Sequence, residues 1–194
     1  KWVEPTLRLP VGAPRYTLYA DTPVAGEVRA ANLRWDPFAI SVGSDSSSGA
    51  PSSDGGAHFQ IAPNPVNFGW GMFMRAQDDS NENLSEFAGG RLNFSVRSDG
   101  YPGKIEVGIS TDTYDRDVQE AFLQIAPGEY GYCNTNQWCD VSIPISAFLA
   151  ANPKLDLRYV LFRFIVADRY DFTGKPLNLT GLPNLRIDNI HWSR

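Results

Sequence analysis

The sequence predicts an all-β fold, an antiparallel β-sandwich of the jelly-roll kind. Two observations point there. Aromatic residues make up 12% of the chain, and 17 glycines and 14 prolines punctuate its 194 residues. That composition favours many short strands joined by tight turns over a helical bundle. In addition, about ten short stretches alternate apolar and polar residues with a period of two, and a single stretch reads as helix. The length suits one domain with its own core. No internal repeat or domain boundary stands out, so residues 16–194 are expected to form one sandwich, with 1–15 a linker or edge segment.

The elements follow in order. "KWVEPTLRLPVGAPR" carries three prolines and no clear period. "YTLYAD" (16–21) alternates as a strand, and "AGEVRAANLRW" reads as a second. "SVGSDSSSGAPSSDGG" (41–56) is polar and low in complexity, and is expected to be a long loop. "AHFQIA" (57–62) sets Phe59 and Ile61 against His58 and Gln60. "FGWGMFMR" (68–75) is a strand whose glycines let another group approach closely. "RLNFSVR" (91–97) points Leu92, Phe94 and Val96 inward, and "KIEVGIS" (104–110) does the same with Ile105, Val107 and Ile109. "QEAFLQI" (119–125), "DVSIPI" (140–145), "RYVLFRFIVA" (158–167) and the closing "NLRIDNIHW" complete the strands. "SAFLAANP" (146–153) is the helix, capped by Ser146 and stopped near Pro153.

The net charge of −5 argues against nucleic-acid binding through a basic face. No apolar run approaches the roughly 18 residues of a membrane-spanning helix. No stretch has the layout of a signal peptide, and with Lys1 in first place the chain reads as a mature or excised piece. The two cysteines, Cys133 and Cys139, lack the second cluster that a metal site needs, so a local disulfide is expected over two free thiols. A disulfide implies an oxidising compartment, hence a secreted or periplasmic protein.

Catalytic signatures are sparse. A retaining glycosidase needs two carboxylates about 5–5.5 Å apart, and no Glu-x-Asp-x-Glu pattern appears. Neither Gly-x-Ser-x-Gly nor His-Glu-x-x-His is present. Polar decoration of a sheet face is the more informative feature. His58, Gln60, Asn93, Arg97, Glu106, Gln124 and Arg163 all alternate away from core-facing neighbours, with Phe122 among them. Such a face is either plainly solvated or suited to a sugar, whose hydroxyls need fixed polar partners and whose C–H faces need an aromatic ring. Loop aromatics add candidates: Tyr101, Tyr132 and above all Trp138 inside the cysteine loop, where a disulfide fixes the ring before binding.

The last strand poses a puzzle. Simple alternation in "LRIDNIHW" sets Asp188 on the same side as Ile190 and Trp192. A carboxylate among apolar neighbours needs compensation. A hydrogen-bonded cap is one answer. Calcium is the sharper one, because it gathers carboxylate oxygens from distant segments. First and last strands of a jelly roll are often neighbours, so Asp21, Asp54 and Asp188 are the expected ligands.

With these residues in view, the chain resembles carbohydrate-binding modules of the β-jelly-roll, galactose-binding-like group. "YTLYAD", "DGGAHFQI", "LNFSVRSD", "VLFRFIVAD" and "LRIDNIHW" carry the resemblance. More narrowly it is similar to C-terminal modules of bacterial family 3 exo-glucanases and to family 11 glucan-binding modules. The resemblance implies a non-catalytic module attached to a polysaccharide-degrading enzyme, with a structural Ca²⁺ at strand ends. The expected partner is a β-glucan or related plant or algal polysaccharide, and the expected state a monomer. The competing expectation is a jelly-roll lyase or glycosidase using Arg97, Glu106, His58 and a loop tyrosine. A third is a calcium-stabilised accessory domain that binds no sugar.

Overall fold

Leu92, Phe94 and Val96 are fully buried, while Arg91, Asn93 and Arg97 are not. Residues 91–97 are therefore a strand with one face turned in, and the same logic builds most of the chain. The computed structural model describes residues 12–38, 40–45, 58–63, 69–97, 103–112, 117–169 and 185–194. In chain order the strands are β1 (Arg15–Tyr19), β2 (Val28–Arg29), β3 (Leu33–Phe38), β4 (Ile40–Asp45), β5 (His58–Pro63) and β6 (Trp70–Ala76). They continue as β7 (Arg91–Arg97), β8 (Ile105–Asp112), β9 (Val118–Ile125), β10 (Cys139–Pro144), β11 (Val160–Asp168) and β12 (Leu185–Ser193).

Two sheets result. One runs β10-β7-β12-β1-β2, with β5 also on β12 and β4 on β5. The other runs β3-β6-β11-β8-β9. All pairings are antiparallel except β1 with β2. The inner faces bury Trp70, Met72, Phe94, Val107, Phe164, Ile187 and Trp192. Phe94 of one sheet meets Phe164 of the other edge to face, with ring centroids 5.2 Å apart. The sandwich the sequence predicts is the fold observed.

Some local expectations need correction. The serine-rich stretch is not all loop, because residues 41–45 lie in β4 and pair with β5. "AGEVRAANLRW" splits into β2 and β3, which join different sheets. The break falls at Asn32, whose φ of 49° turns the chain. The helix is α1 (Ile145–Ala151), one residue earlier than expected, with Pro144 rather than Ser146 at its N-cap. Its inner side buries Ile145 and Phe148.

The last strand also departs from simple alternation. Between Asp188 and His191 the register of β12 on β7 shifts, and Asn189 has a φ of 53°. This β-bulge inserts an extra residue, so Ile187 and Ile190 both turn inward. Asp188 instead lies opposite Ser95, on the outward side of β12. It does not share a face with Ile190 and Trp192. Its carboxylate accepts the Asn189 backbone N–H at 2.6 Å. The bulge solves the side-chain conflict that strict alternation creates.

The first and last strands do meet. β1 pairs with the second half of β12, through Tyr16 with Trp192 and Tyr19 with Ile190. β5 takes over the same edge of β12 along its first half, through Ile187 with Phe59 and Leu185 with Ile61. Asp188 lies at this fork. Asp21 follows two residues after Tyr19, the last residue of β1 paired with β12.

Candidate functional site

Alternation along the five-stranded sheet leaves one apolar row on its outer side, in which Ile165 and Gly108 are buried and Phe73 and Phe122 half-buried. Phe73 of β6 lies across from Ile165 of β11, Ile165 from Gly108 of β8, and Gly108 from Phe122 of β9. Three strand spacings of about 4.8 Å make this row about 14 Å wide. The glycines are what let the rings lie down. A Cβ on Gly108 would stand 2.7 Å from Phe122 Cδ1, and one on Gly71 would stand 3.0 Å from Phe73 Cε2. The missing side chains are thus filled by neighbouring rings. Phe162 joins the row, edge to face with Phe73 at 5.3 Å.

Charged groups bracket the rings. At one end Asp36 pairs with Arg75 at 2.5 Å and with Arg34 at 3.4 Å, and Asp79 pairs with Arg34 at 2.9 Å. The Arg75 guanidinium lies 5.4 Å from the Phe162 ring centroid. At the other end the Arg169 guanidinium stacks 3.8 Å from the Phe122 centroid. Glu106 accepts both the Arg169 backbone N–H at 2.7 Å and its Nε at 3.4 Å. Gln124 pairs with Glu106 across β8 and β9. Beneath this corner, buried Lys104 and Asp168 are 2.9 Å apart.

This outer face joins residues the sequence reading had grouped differently. Glu106, Gln124 and Phe122 are on it. Asn93 and Arg97 belong to β7, and His58 and Gln60 to β5, all in the other sheet. The single polar face expected from alternation is therefore two faces pointing opposite ways. The enzyme alternative's set of Arg97, Glu106 and His58 is divided between them. On the seven-stranded sheet, Arg97 lies across from Arg186, and Arg186 from Gln60. Cys139 lies across from Val96, so the same register brings Trp138 alongside Arg97. Trp138 is half-buried, within the loop closed by the Cys133–Cys139 disulfide. The side chains of His58 and Gln60, and all of Asp54 and Tyr101, lie outside the described residues.

Two candidates are internal. Arg163 is 1% exposed, because register shifts in β11 turn it between the sheets instead of outward. There its guanidinium donates to the carbonyls of Leu161 and Ser80 at 3.1 Å and to Glu82 Oε2 at 3.4 Å. Tyr16 donates to the same Glu82 oxygen at 3.0 Å. Burial raises the Glu82 carboxyl above its ordinary range, against the pull of Arg163 and the Tyr16 hydrogen bond. Tyr132 is also buried, donating its hydroxyl to the Gly103 carbonyl at 3.1 Å. Burial, then the charge of Asp168, pushes its hydroxyl pKa up.

Sequence reasoning did not single out Phe73, Phe162, Gly108, Arg75 or Arg169. One signal was present: the glycines of "FGWGMFMR" mark a close approach, and Phe73 is the ring that makes it at Gly71. Among the described residues no three His, Cys, Asp or Glu side chains gather to hold a metal.

Comparisons with known proteins bear on this geometry. The family described as "Carbohydrate binding domain 30" matches residues 39–175. Among solved structures, the chain is similar to the family 30 carbohydrate-binding module of the cellulosomal cellulase Cel9D-Cel44B of Clostridium thermocellum. That match has a TM-score of 0.64 at 15% identity and covers 90% of this chain and 94% of that one. A family 11 carbohydrate-binding module from Clostridium thermocellum, in complex with a β-1,3-1,4-mixed-linked tetrasaccharide, aligns at TM-score 0.52 and 16% identity. The alignment covers 91% of this chain and 94% of that one. An exo-1,3/1,4-β-glucanase from a Pseudoalteromonas species aligns at TM-score 0.50 and 12% identity, over 91% of this chain and 20% of that one. No curated protein sequence matches the chain.

Proposed function

The chain belongs to the family of carbohydrate binding domain 30, and from that premise we propose that it is a non-catalytic module that adsorbs to a neutral β-glucan through the outer face of its five-stranded sheet. The observation that carries this reading is the row Phe73–Ile165–Gly108–Phe122 with guanidiniums at both ends. The half-buried Phe73 and Phe162 rings offer apolar surface to sugar C–H faces, and Phe122, seated against Gly108, carries the planar Arg169 guanidinium beside them. Among the described residues, Arg34, Arg75 and Arg169 are each paired with Asp36, Asp79 or Glu106, so none of these three cations is left over to draw an acidic glycan. Hydroxyls both donate and accept, and this mixture serves them. The β-1,3-1,4-mixed-linked tetrasaccharide bound to the family 11 neighbour agrees with this reading.

Adsorption of this kind keeps a linked polysaccharide-degrading domain near its substrate and raises effective concentration. The disulfide agrees with a secreted or periplasmic setting. A structural Ca²⁺ is part of the proposal. Asp188 is a fully buried carboxylate at the fork where β1 leaves β12 and β5 joins it, and Asp21 follows two residues after the end of the β1 pairing. Asp54 is the third acid proposed for it. Bound there, the ion would supply charge compensation and cross-link the segment after β1 to β12.

Affinity electrophoresis against mixed-linkage glucan, xylan, galactan and a polyuronate tests the reading. Retardation on the glucan with no product formed supports it. Product would make the protein an enzyme, and free migration in every gel would leave only a scaffold.

A further inference from the structure

Three features compete for a role beyond the aromatic row itself. A pocket of about 370 Å³ opens at one end of the sandwich beside Asn32, Asp78, Asn81 and Glu82. Its inner polar atoms, Glu82 Oε1 and Asn81 Oδ1, are shut off from solvent, so no ligand reaches them. The row through Arg97 and Arg186 on the other sheet is a second feature, but only its register is fixed. The Glu106–Arg169–Phe122 corner carries the argument further.

Glu106 is only 3% exposed, and its carboxylate is taken up by the Arg169 backbone N–H and Nε. The Phe122 ring lies against Gly108 and carries the Arg169 guanidinium at 3.8 Å. The Arg169 side chain is 23% exposed, so of these three groups it is the charged one that reaches the surface. Its backbone is fixed as well. A Cβ on Gly69 would fall 2.4 Å from Arg169 Cα, and the buried Lys104–Asp168 pair precedes it in the chain. A guanidinium held flat, backed by a ring and restrained by a carboxylate, has lost its rotamer freedom before any ligand arrives.

We infer that Arg169 is a glycan-contacting residue of this face, and that Glu106 is its positioning residue. The inference rests on the proposed function above. Arg169 presents a planar body for a sugar face and donors for adjacent sugar oxygens. Because Glu106 already offsets its charge, the partner it suits is a neutral sugar with neighbouring hydroxyls. Glu106 touches the ligand only through Arg169.

The test uses the whole chain and purified mixed-linkage β-glucan, with R169K, E106Q and the double variant. Melting temperature is followed for each. Lysine keeps the charge and loses the plane, so R169K should bind about tenfold more weakly with its melting temperature unchanged. E106Q keeps an acceptor for the Arg169 backbone and loses the ion pair, so it should bind several-fold more weakly. In the double variant the losses should not add, because both act on one contact. R169K binding as tightly as the parent overturns the contact. Additive losses overturn the positioning role. A parent chain that no glycan retards fails the proposed function itself, and that is seen before any variant is made. Stronger binding to a polyuronate than to the glucan overturns the neutral-sugar assignment.

Discussion

The Tyr16 hydroxyl donates to Glu82 Oε2 at 3.0 Å, from the first strand of one sheet to the segment that pairs with β11 of the other. Arg163 approaches the same oxygen from β11. This buried trio ties the two layers together at one end of the core. Burial raises the Glu82 pKa, so the folded state holds its proton more tightly than the unfolded state does. The stability this confers is complete below the unfolded pKa and is lost as pH rises through the raised folded value. Glutamine mimics the protonated form and keeps both acceptor contacts. E82Q should therefore match the parent in melting temperature at acid pH and exceed it toward neutral pH. Melts across that range check the sign; a parent that gains on E82Q as pH rises would refute it.

Asn189 holds the bulge that sends Asp188 outward and Ile190 inward. Glycine suits its positive φ, and a β-branched residue does not. N189V should lose about 1–2 kcal/mol of stability, the usual range for a residue forced into the left-handed region, while N189G should stay close to the parent. Urea unfolding gives both numbers. Equal losses in the two variants would mean that the side chain, through Arg15 at 3.4 Å, matters more than the backbone.

Much of the fold was legible because apolar residues recur at every second position in β7 and at the start of β8, and because first and last strands of such sandwiches pair. What alternation could not reveal was which sheet each strand joins. Asn93 and Glu106 lie on similar patterns yet face opposite directions, since β7 and β8 belong to different layers. Sheet membership is set by long-range pairing, and local period is blind to it. The bulges were equally hidden. One extra residue in β12 moves Asp188, and shifts in β11 turn Arg163 inward. The face site was partly visible: Phe122, Glu106 and Gln124 stood out, while Arg169 did not, because it leaves its strand before making its contact.

Gly108 offers a direct probe of the aromatic row. An added Cβ would meet Phe122 Cδ1 at 2.7 Å and the Ala121 carbonyl at 2.9 Å, closer than real contacts allow. G108V should lift the ring off the sheet and weaken glucan binding by about tenfold or more, with a stability loss of about 1–3 kcal/mol from overpacking. G108A should fall between G108V and the parent. Paired binding and unfolding curves separate the two effects. Undiminished binding by G108V would remove Phe122 from the site.

The Cys133–Cys139 bridge closes a short loop at the start of the edge strand β10. For so short a loop the chain-entropy estimate is about 2 kcal/mol, and C133S/C139S should lose about that much. If glycan binding depends on the five-stranded face, the same variant should keep the parent's affinity. A loss of binding larger than the loss of stability would bring Trp138, inside that loop, back as a contact.

Metal removal tests the fork of β1, β5 and β12. Asp188 is wholly buried, and a carboxylate there must be compensated by hydrogen bonds or by a cation. The Asn189 backbone N–H supplies one hydrogen bond. Should calcium supply the remainder, EDTA would lower the parent's melting temperature and excess Ca²⁺ would restore it, since a ligand that binds only the folded state stabilises it by mass action. D188N and D21N should then melt near the chelated parent and respond weakly to either reagent. The ion would also bind β1 to β5 across the edge of β12, so chelation should speed hydrogen exchange at Tyr19 and Phe59 more than at Val107 in the far sheet. An EDTA-insensitive melt together with a destabilised D188N would assign Asp188 to hydrogen bonding alone, and the calcium proposal would be withdrawn.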